Sequence, residues 1–344
     1  MPTHFALDDQ IASQPEALRA LLAGIDAPVL DPERPVVFSG IGTSLHACRV
    51  AAWWTAALSG GALRPVAIDA HDLALDAPLT PRDQVVVVSH RGTKRFPNAV
   101  LDRARKLGAA TVAIVGQGAP AVAADTVVRT CPDERAGTHT VSYLTALAAL
   151  GRIVAALVGP TAAATEFASA LGTVPDAVTR TLDLPAPVEA AQRLAGREPL
   201  LLAGGGLDTI TAQEAALKLK EGAYTWAEGL GVEFALHGPP AALRAGMGAV
   251  TITPAAGMDD GGRTEALRGL LRDLGVVALT CGDEAVSADE DLPFAPVPTL
   301  LRPFVAIVPL QRLTAELARL AGTNPDAIHG DVEPWAAAMA RYAL

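Results

Sequence analysis

The stretch Glu214-Ala-Ala-Leu-Lys-Leu-Lys-Glu221 holds the residues best suited to do chemistry in this chain of 344 residues. Glu214, Lys218 and Glu221 stand at i, i+4 and i+7 and so share one face of a helix. A carboxylate held beside an ammonium group is a tunable acid or base, although the same spacing also describes a solvated Glu/Lys stripe. Lysine usage weighs against the stripe. The chain has only four lysines, Lys94, Lys106, Lys218 and Lys220, and two of them fall in this segment. Glu228, Glu233 and the turn His237-Gly-Pro-Pro240 follow closely, which adds a side chain able to change charge near neutral pH.

Three glycine-bearing turns offer anion sites: Ser39-Gly-Ile-Gly-Thr-Ser44, Ser89-His-Arg-Gly-Thr-Lys94 and Ala203-Gly-Gly-Gly-Leu-Asp208. Each stands between an apolar run and a helical pattern, where backbone N–H groups and a helix N-terminus converge. None is a G-x-G-x-x-G fingerprint or a lysine-bearing P-loop, so a dinucleotide or ATP site is not indicated. The Ser89–Lys94 turn crowds two basic side chains and two hydroxyls together, as an anion would require. The glycines of Ala203–Asp208 are equally explained by a tight strand-to-helix turn.

The elements that position these residues alternate short apolar runs with helix-length amphipathic stretches, the pattern of a doubly wound parallel sheet. Strands are predicted at 36–39, 66–69, 85–89, 111–115 and 126–130, then at 200–203, 249–253, 276–280 and 294–297. Helices are predicted at 16–23, 45–58, 97–107 and 141–157, then at 210–226, 263–274 and 310–320. The two halves read as copies. Pro199-Leu-Leu-Leu-Ala-Gly follows Pro35-Val-Val-Phe-Ser-Gly at an offset of 164 residues, Ala249 follows Val85 at the same offset, and Leu274-Gly follows Leu107-Gly at 167. The predicted layout is an N-terminal helical segment (1–34), an α/β subdomain (35–159), a helical connector broken at prolines (160–198), a second α/β subdomain (199–330) and a tail (331–344).

Composition removes several function classes. The chain carries 27 basic and 37 acidic residues, a formal charge of −10, which leaves nucleic-acid binding without an electrostatic source. Mean hydropathy is +0.30, yet the richest apolar stretch, 140–158, is interrupted by Arg152 and no span of roughly 20 apolar residues occurs. The start, MPTHFALDDQ, has acids where a secretory signal has a basic region, so a cytoplasmic protein is expected. Cys48, Cys131 and Cys281 lack the spacing of a disulfide framework or zinc knuckle and read as small buried hydrophobes.

The segment Ala212-Gln-Glu-Ala-Ala-Leu-Lys-Leu-Lys-Glu-Gly-Ala-Tyr-Thr-Trp-Ala-Glu228 with His237-Gly-Pro resembles the isomerase half of the glutamine:fructose-6-phosphate aminotransferase family, a tandem sugar isomerase (SIS) arrangement. Gln14-Pro-Glu-Ala-Leu-Arg19, Gly42-Thr-Ser44 and the Ser89/Gly92 turn extend the likeness over nearly the whole chain. The resemblance implies two flavodoxin-like SIS subdomains in tandem. It implies Glu221 as the base moving a proton between C1 and C2 of an open-chain sugar. His237 would assist ring opening from the partner subunit of a homodimer with shared active sites, and Lys218 and Glu214 would support the glutamate. The turns bearing Gly42, Thr43, Ser44, Ser89, His90, Arg91, Gly92, Thr93 and Lys94 would bind phosphate. No cofactor and no metal are implied, since enediol chemistry needs only a carboxylate and hydrogen-bond donors.

The chain also departs from that family. It begins Met1-Pro2 directly before the isomerase region, so glutamine-dependent transfer is not expected. The family's Ser-Gln-Ser-Gly-Glu-Thr is replaced by Ser-His-Arg-Gly-Thr-Lys, and His139 and Val141 stand where the family has a Ser-x-Lys element. No lysine follows Lys220, and Ile328-His329-Gly330 occupies the neighbourhood of the family's imine-forming tail lysine. His329 is the candidate tail contact. The expected activity is aldose–ketose isomerisation of a sugar phosphate, or deamination or deglycation of an amino-sugar phosphate, through an enediol or enolamine. The alternative is a phosphosugar-binding sensor without turnover; the 34 acidic residues ahead of the first subdomain offer no DNA-binding domain for such a role.

Overall fold

The computed structural model describes residues 4–285, 287 and 289–342; the opening Met1–Thr3 lies outside them. In chain order the elements are α1 (Ala6–Gly24), β1 (Val36–Gly40), α2 (Thr43–Leu58), β2 (Val66–Asp69), α3 (Ala70–Leu75), β3 (Gln84–Val88), α4 (Arg95–Leu107), β4 (Ala110–Val115), β5 (Thr126–Arg129), α5 (Val141–Val158), α6 (Ala162–Leu171), α7 (Val174–Asp183) and α8 (Val188–Leu194). They continue with β6 (Leu200–Gly204), α9 (Leu207–Lys218), a π turn (Leu219–Ala223), β7 (Ala227–Gly231), α10 (Val232–His237), β8 (Gly248–Ile252), α11 (Arg263–Asp273), β9 (Val277–Asp283), β10 (Leu292–Phe294), α12 (Arg302–Ala321) and α13 (Trp335–Arg341).

Two compact units result. One holds Gln14–Glu134 and Val141–Pro175; the other holds 4–13, Arg135–Thr140 and Asp176–Arg341. The first contains the all-parallel sheet β2-β1-β3-β4-β5 and the second the all-parallel sheet β7-β6-β8-β9-β10. Both have the doubly wound order in which the second strand lies outside the first. Strands β1, β3, β6 and β8 are buried along their whole length, because helices cover both faces of a parallel sheet and each residue must be apolar or internally bonded.

The repeat read from the sequence is exact in register at the strands that matter. β6 follows β1, and β8 follows β3, at 164 residues, and β9 follows β4 at 167. It extends to the backbone: Gly42 before α2 has φ 56°, ψ −125°, and Gly206 before α9 has φ 57°, ψ −123°. A Cβ on Gly40 would lie 2.8 Å from the backbone of Ser44, and one on Gly204 would lie 2.6 Å from that of Asp208. Both turns therefore need glycine at the strand end for the helix to start so close to it.

In the first unit α5 is buried around almost its entire circumference. It is the one described helix long and apolar enough to cross a membrane, and 78% of it is buried inside the protein, as befits a core helix. Trp54 of α2 meets Phe167 of α6 edge-to-face at 5.2 Å, which contributes about 0.5–1.5 kcal/mol beyond burial. All three cysteines are buried and unpaired.

Several expectations are corrected. The helix predicted over 210–226 ends as an α-helix at Lys218, passes into the π turn and stops at Tyr224, whose φ of 55° breaks it. Ala227–Gly231 then forms an edge strand that the sequence did not announce, because Ala-Glu-Gly-Leu-Gly has no apolar run and only Ala227 is buried. The last helix begins at Arg302 rather than near 310, with Pro303 in its first turn and Pro309 inside it. His237 closes the short helix α10 rather than lying in a turn. The last predicted strand lies at Leu292–Phe294, a few residues early. The connector is helical and breaks at Pro185 and Pro187, with α6 in the first unit and α8 in the second.

Candidate active site

In the first unit the crevice between the C-terminal ends of β1 and β3 is the switch point of the sheet, where strand order runs outward in both directions. Gly42, Thr43 and Ser44 form the turn above β1 and are partly accessible. Ser89 is buried at the end of β3, Gly92 takes φ 64° and closes a turn through its N–H to the Ser89 carbonyl (2.9 Å), and Lys94 leads into α4. The Asn98 amide donates to the Gly92 carbonyl at 3.0 Å, holding the turn against α4. Arg91 and Thr93 are exposed. Thr43, Ser44, His90, Thr130, Ser142 and Tyr143 share one small cleft, so the two turns converge as expected.

His90 is the altered feature of this cleft. Its carbonyl accepts from Gly116 N–H at 2.7 Å, which fixes its backbone. Burial holds its pKa below the ordinary imidazole value, against the pull of Glu134 and Asp133 and with the help of Arg91. Glu134 itself accepts from the N–H groups of Val141 (3.0 Å) and Ser142 (2.8 Å), capping α5. That helix end is thereby supplied with a carboxylate of its own. His139 lies in the Arg135–Thr140 segment, which clusters with the second unit.

The corresponding turn of the second unit is closed to an external anion. Asp208 stands 164 residues after Ser44 and is 6% exposed. Arg302 of α12 donates to it from Nε (3.1 Å) and Nη2 (2.9 Å), and Nη2 also donates to the Thr253 carbonyl (2.6 Å). The glycine-rich geometry is retained while an internal carboxylate fills the place an anion would take.

The second unit carries the Glu/Lys/Glu group. Lys218 Nζ lies 3.5 Å from Glu214 Oε1 and 2.6 Å from Glu221 Oε2. The side chains of Lys218 and Glu214 are 1% and 0% exposed, whereas Glu221 is 26% exposed. A solvated stripe is therefore excluded. The ammonium is buried between a structural carboxylate and an accessible one, an arrangement that keeps Glu221 aimed and ionised next to a fixed charge. Lys220 points elsewhere, its Nζ 5.5 Å from the ring of the exposed Trp226. The π turn widens the helix at Glu221, and such insertions recur at functional positions. Gly222 is required there, since a Cβ would fall 2.6 Å from Thr314 Cγ2 and 3.3 Å from Pro325.

His237 is exposed at the end of α10. Glu228 is exposed on β7, and Glu233 pairs with Arg263 at 2.6 Å, so neither joins the Lys218 group. His329 is stacked between Tyr224, with ring centres 3.6 Å apart, and Trp335, at 4.4 Å. It is thus a packed tail residue in the same unit as Glu221 rather than a loose loop histidine. Sequence reasoning overlooked Tyr224, Arg302 and Trp335. Tyr224 had only its place three residues after Glu221 as a signal, and the Asp208–Arg302 pairing across 94 residues had none.

A crevice of hydroxyls and backbone N–H groups above one doubly wound sheet, repeated in a second sheet beside a buried acid–base group, defines a sugar isomerase class of protein. Residues 30–157 match the SIS domain family, and the chain is a SIS-domain protein. The glutamine--fructose-6-phosphate aminotransferase [isomerizing] of Thermococcus kodakarensis is 28% identical over 342 residues, which are 94% of this chain and 56% of the relative. The chain thus spans somewhat over half the length of that relative. The C-terminal domain of glucosamine-fructose-6-phosphate aminotransferase from Francisella tularensis superimposes with a TM-score of 0.83 at 20% identity, covering 94% of this chain and 98% of that one. Glucosamine-6-phosphate deaminase from Thermotoga maritima superimposes with a TM-score of 0.75 at 21% identity, covering 94% and 97%. These likenesses establish the fold, two SIS subdomains in tandem.

Proposed function

We propose that this protein interconverts the aldose and ketose forms of a sugar phosphate, or releases the amine of an amino-sugar phosphate, with Glu221 as the proton-transfer base. The burial of Lys218 between Glu214 and the accessible Glu221 carries the reading. Glu221 takes the proton from C2 of the open-chain aldose, the C–H electrons form the C1–C2 double bond of an enediol, and the carbonyl oxygen at C1 receives a proton. Return of the carbon proton to C1 gives the ketose. For an amino sugar the same transfer gives an enolamine, whose imine tautomer adds water and expels ammonia. Lys218 stays charged throughout and keeps Glu221 in place.

The turns at Gly42–Ser44 and Ser89–Lys94 bind the phosphate, with Arg91 and Lys94 adding charge that small hydroxyl contacts lack. His139 belongs to the same proposed set. His237, exposed on its short helix, serves ring opening in a partner subunit of a homodimer. A cytoplasmic setting accords with three buried, unpaired cysteines.

Proton NMR in heavy water tests the proposal with a panel of hexose and amino-hexose 6-phosphates. Wild-type protein should exchange the C2 proton of at least one substrate, and Glu221→Gln should not. Saturation transfer to a bound ligand without exchange in either protein would favour a phosphosugar sensor and overturn the assignment of Glu221.

A further inference from the structure

Among the described residues, three non-glycine residues have positive φ, and all three belong to one assembly: Tyr224 (55°), Ile328 (48°) and His329 (58°). Left-handed backbone at a β-branched residue such as Ile328 is held only where the surroundings over-determine it. The surroundings here are dense. The tail's Pro325 carbonyl accepts from the N–H (3.1 Å) and hydroxyl (2.9 Å) of Thr138, and the Asp326 carbonyl accepts from Gly137 N–H at 2.7 Å. The Asp326 carboxylate accepts from the N–H groups of Ala6 (2.8 Å) and Leu7 (3.0 Å), and Gly137 has no room for a Cβ beside Ile328 (2.7 Å). The tail is anchored at several points before it meets the π turn.

It meets that turn through one phenol. The Tyr224 hydroxyl donates to the Asn324 carbonyl at 2.8 Å and accepts from His329 N–H at 2.8 Å, while the ring stacks on the His329 imidazole. Thr323 adds a hydroxyl bond to the Gly222 carbonyl at 2.8 Å. Tyr224 ends the π turn three residues after Glu221, so whatever fixes Tyr224 fixes the exit of the turn that carries the carboxylate.

We propose that Tyr224 is a positioning residue for Glu221: its hydroxyl locks the π turn to the anchored tail, and this lock holds the carboxylate in its proton-transfer geometry. The proposal rests on the reading of Glu221 as the base. Lys218 fixes one side of the carboxylate by charge, and the Tyr224 lock fixes the backbone beneath it.

Tyr224→Phe keeps the ring and its stack and removes only the hydroxyl. With the sugar phosphate that shows C2 exchange, kcat should fall about 10- to 100-fold, the loss that a misplacement of about 1 Å produces, with KM changed by less than about threefold. The limb of the kcat–pH profile set by Glu221 should move as the Lys218–Glu221 contact loosens. Replacement of Tyr224 by 4-aminophenylalanine, which restores a donor and an acceptor, should recover most of kcat. Amide hydrogen exchange in residues 219–224 and 322–330 should rise together in Tyr224→Phe, a readout that needs no substrate. Unchanged kcat in Tyr224→Phe beside an inactive Glu221→Gln would overturn the positioning role alone. Activity in Glu221→Gln would overturn the reading beneath it. Unchanged exchange in the two segments, or a lower kcat with an unmoved pH profile and no rescue, would also overturn the lock.

Discussion

Replacing Lys218 by methionine should destabilise the second unit by about 3–5 kcal/mol, the usual cost of removing one member of a buried ion pair. The structure gives an independent figure of the same size. At the 3.5 Å separation of Lys218 Nζ from Glu214 Oε1, an effective dielectric of about 20 makes the attraction about 5 kcal/mol. Methionine nearly conserves volume, so cavity formation adds little. The contact with Glu221 adds less per unit distance, because that carboxylate is 26% exposed and screened by water. For a folding unit of this size each kcal/mol lowers Tm by roughly 2–4 °C, so the melting transition should fall by roughly 6–20 °C. Scanning calorimetry of wild type, Lys218→Met, Glu214→Gln and the double variant measures this directly. The double variant should recover at least half of the single variant's loss, because it removes the buried charge that the lysine left behind. A loss below about 1 kcal/mol in Lys218→Met, or full additivity in the double variant, would refute the account of a buried charge bridge.

Gly222→Ala should cost about 1–3 kcal/mol, because the new methyl falls 2.6 Å from Thr314 Cγ2 in a closed core, and adding Thr314→Ser should recover much of it by removing that methyl while keeping the hydroxyl; urea denaturation curves of the three variants decide. For His90, burial lowers the native pKa below that of the unfolded chain, so the unfolded state binds more protons in the acidic range and stability falls as pH drops below about 6.5. Thermal melts at pH 5.5 and 7.5 should therefore converge for wild type and His90→Gln at the lower pH if the variant folds with a fixed deficit at pH 7.5, and parallel shifts in both proteins would exclude His90 as the titrating group.

The repeat was legible because each strand-to-helix junction is built from glycines and apolar runs that must recur wherever the backbone does. Gly40/Gly42 and Gly204/Gly206 fulfil the same steric demand, and their spacing fixed the correspondence of β1 with β6 before any coordinates. The Glu214, Lys218, Glu221 set was legible for the same local reason, since residues three and four apart meet on a helix. The break at Glu221 was not. A continuous helix to Trp226 has the better local pattern, and it yields only because Gly222 is pressed between Thr314 and Pro325 while Tyr224 is bonded to a tail a hundred residues away.

By itself, then, the sequence determined the two doubly wound subdomains, the turns at Gly42–Ser44 and Ser89–Lys94 and the lysine between two glutamates. All of these follow from side-chain periodicity, glycine sterics and contacts between near neighbours. Tertiary structure decided which of the two equivalent turns stays open, because Arg302 reaches Asp208 from a helix 94 residues away. It decided which glutamate is accessible, because the packing that buries Glu214 and Lys218 leaves Glu221 at the surface of the π turn. It also turned His329 into a stacked, anchored residue. Long-range burial and pairing set each of these outcomes, and neither has a period or a local motif to be read along the chain.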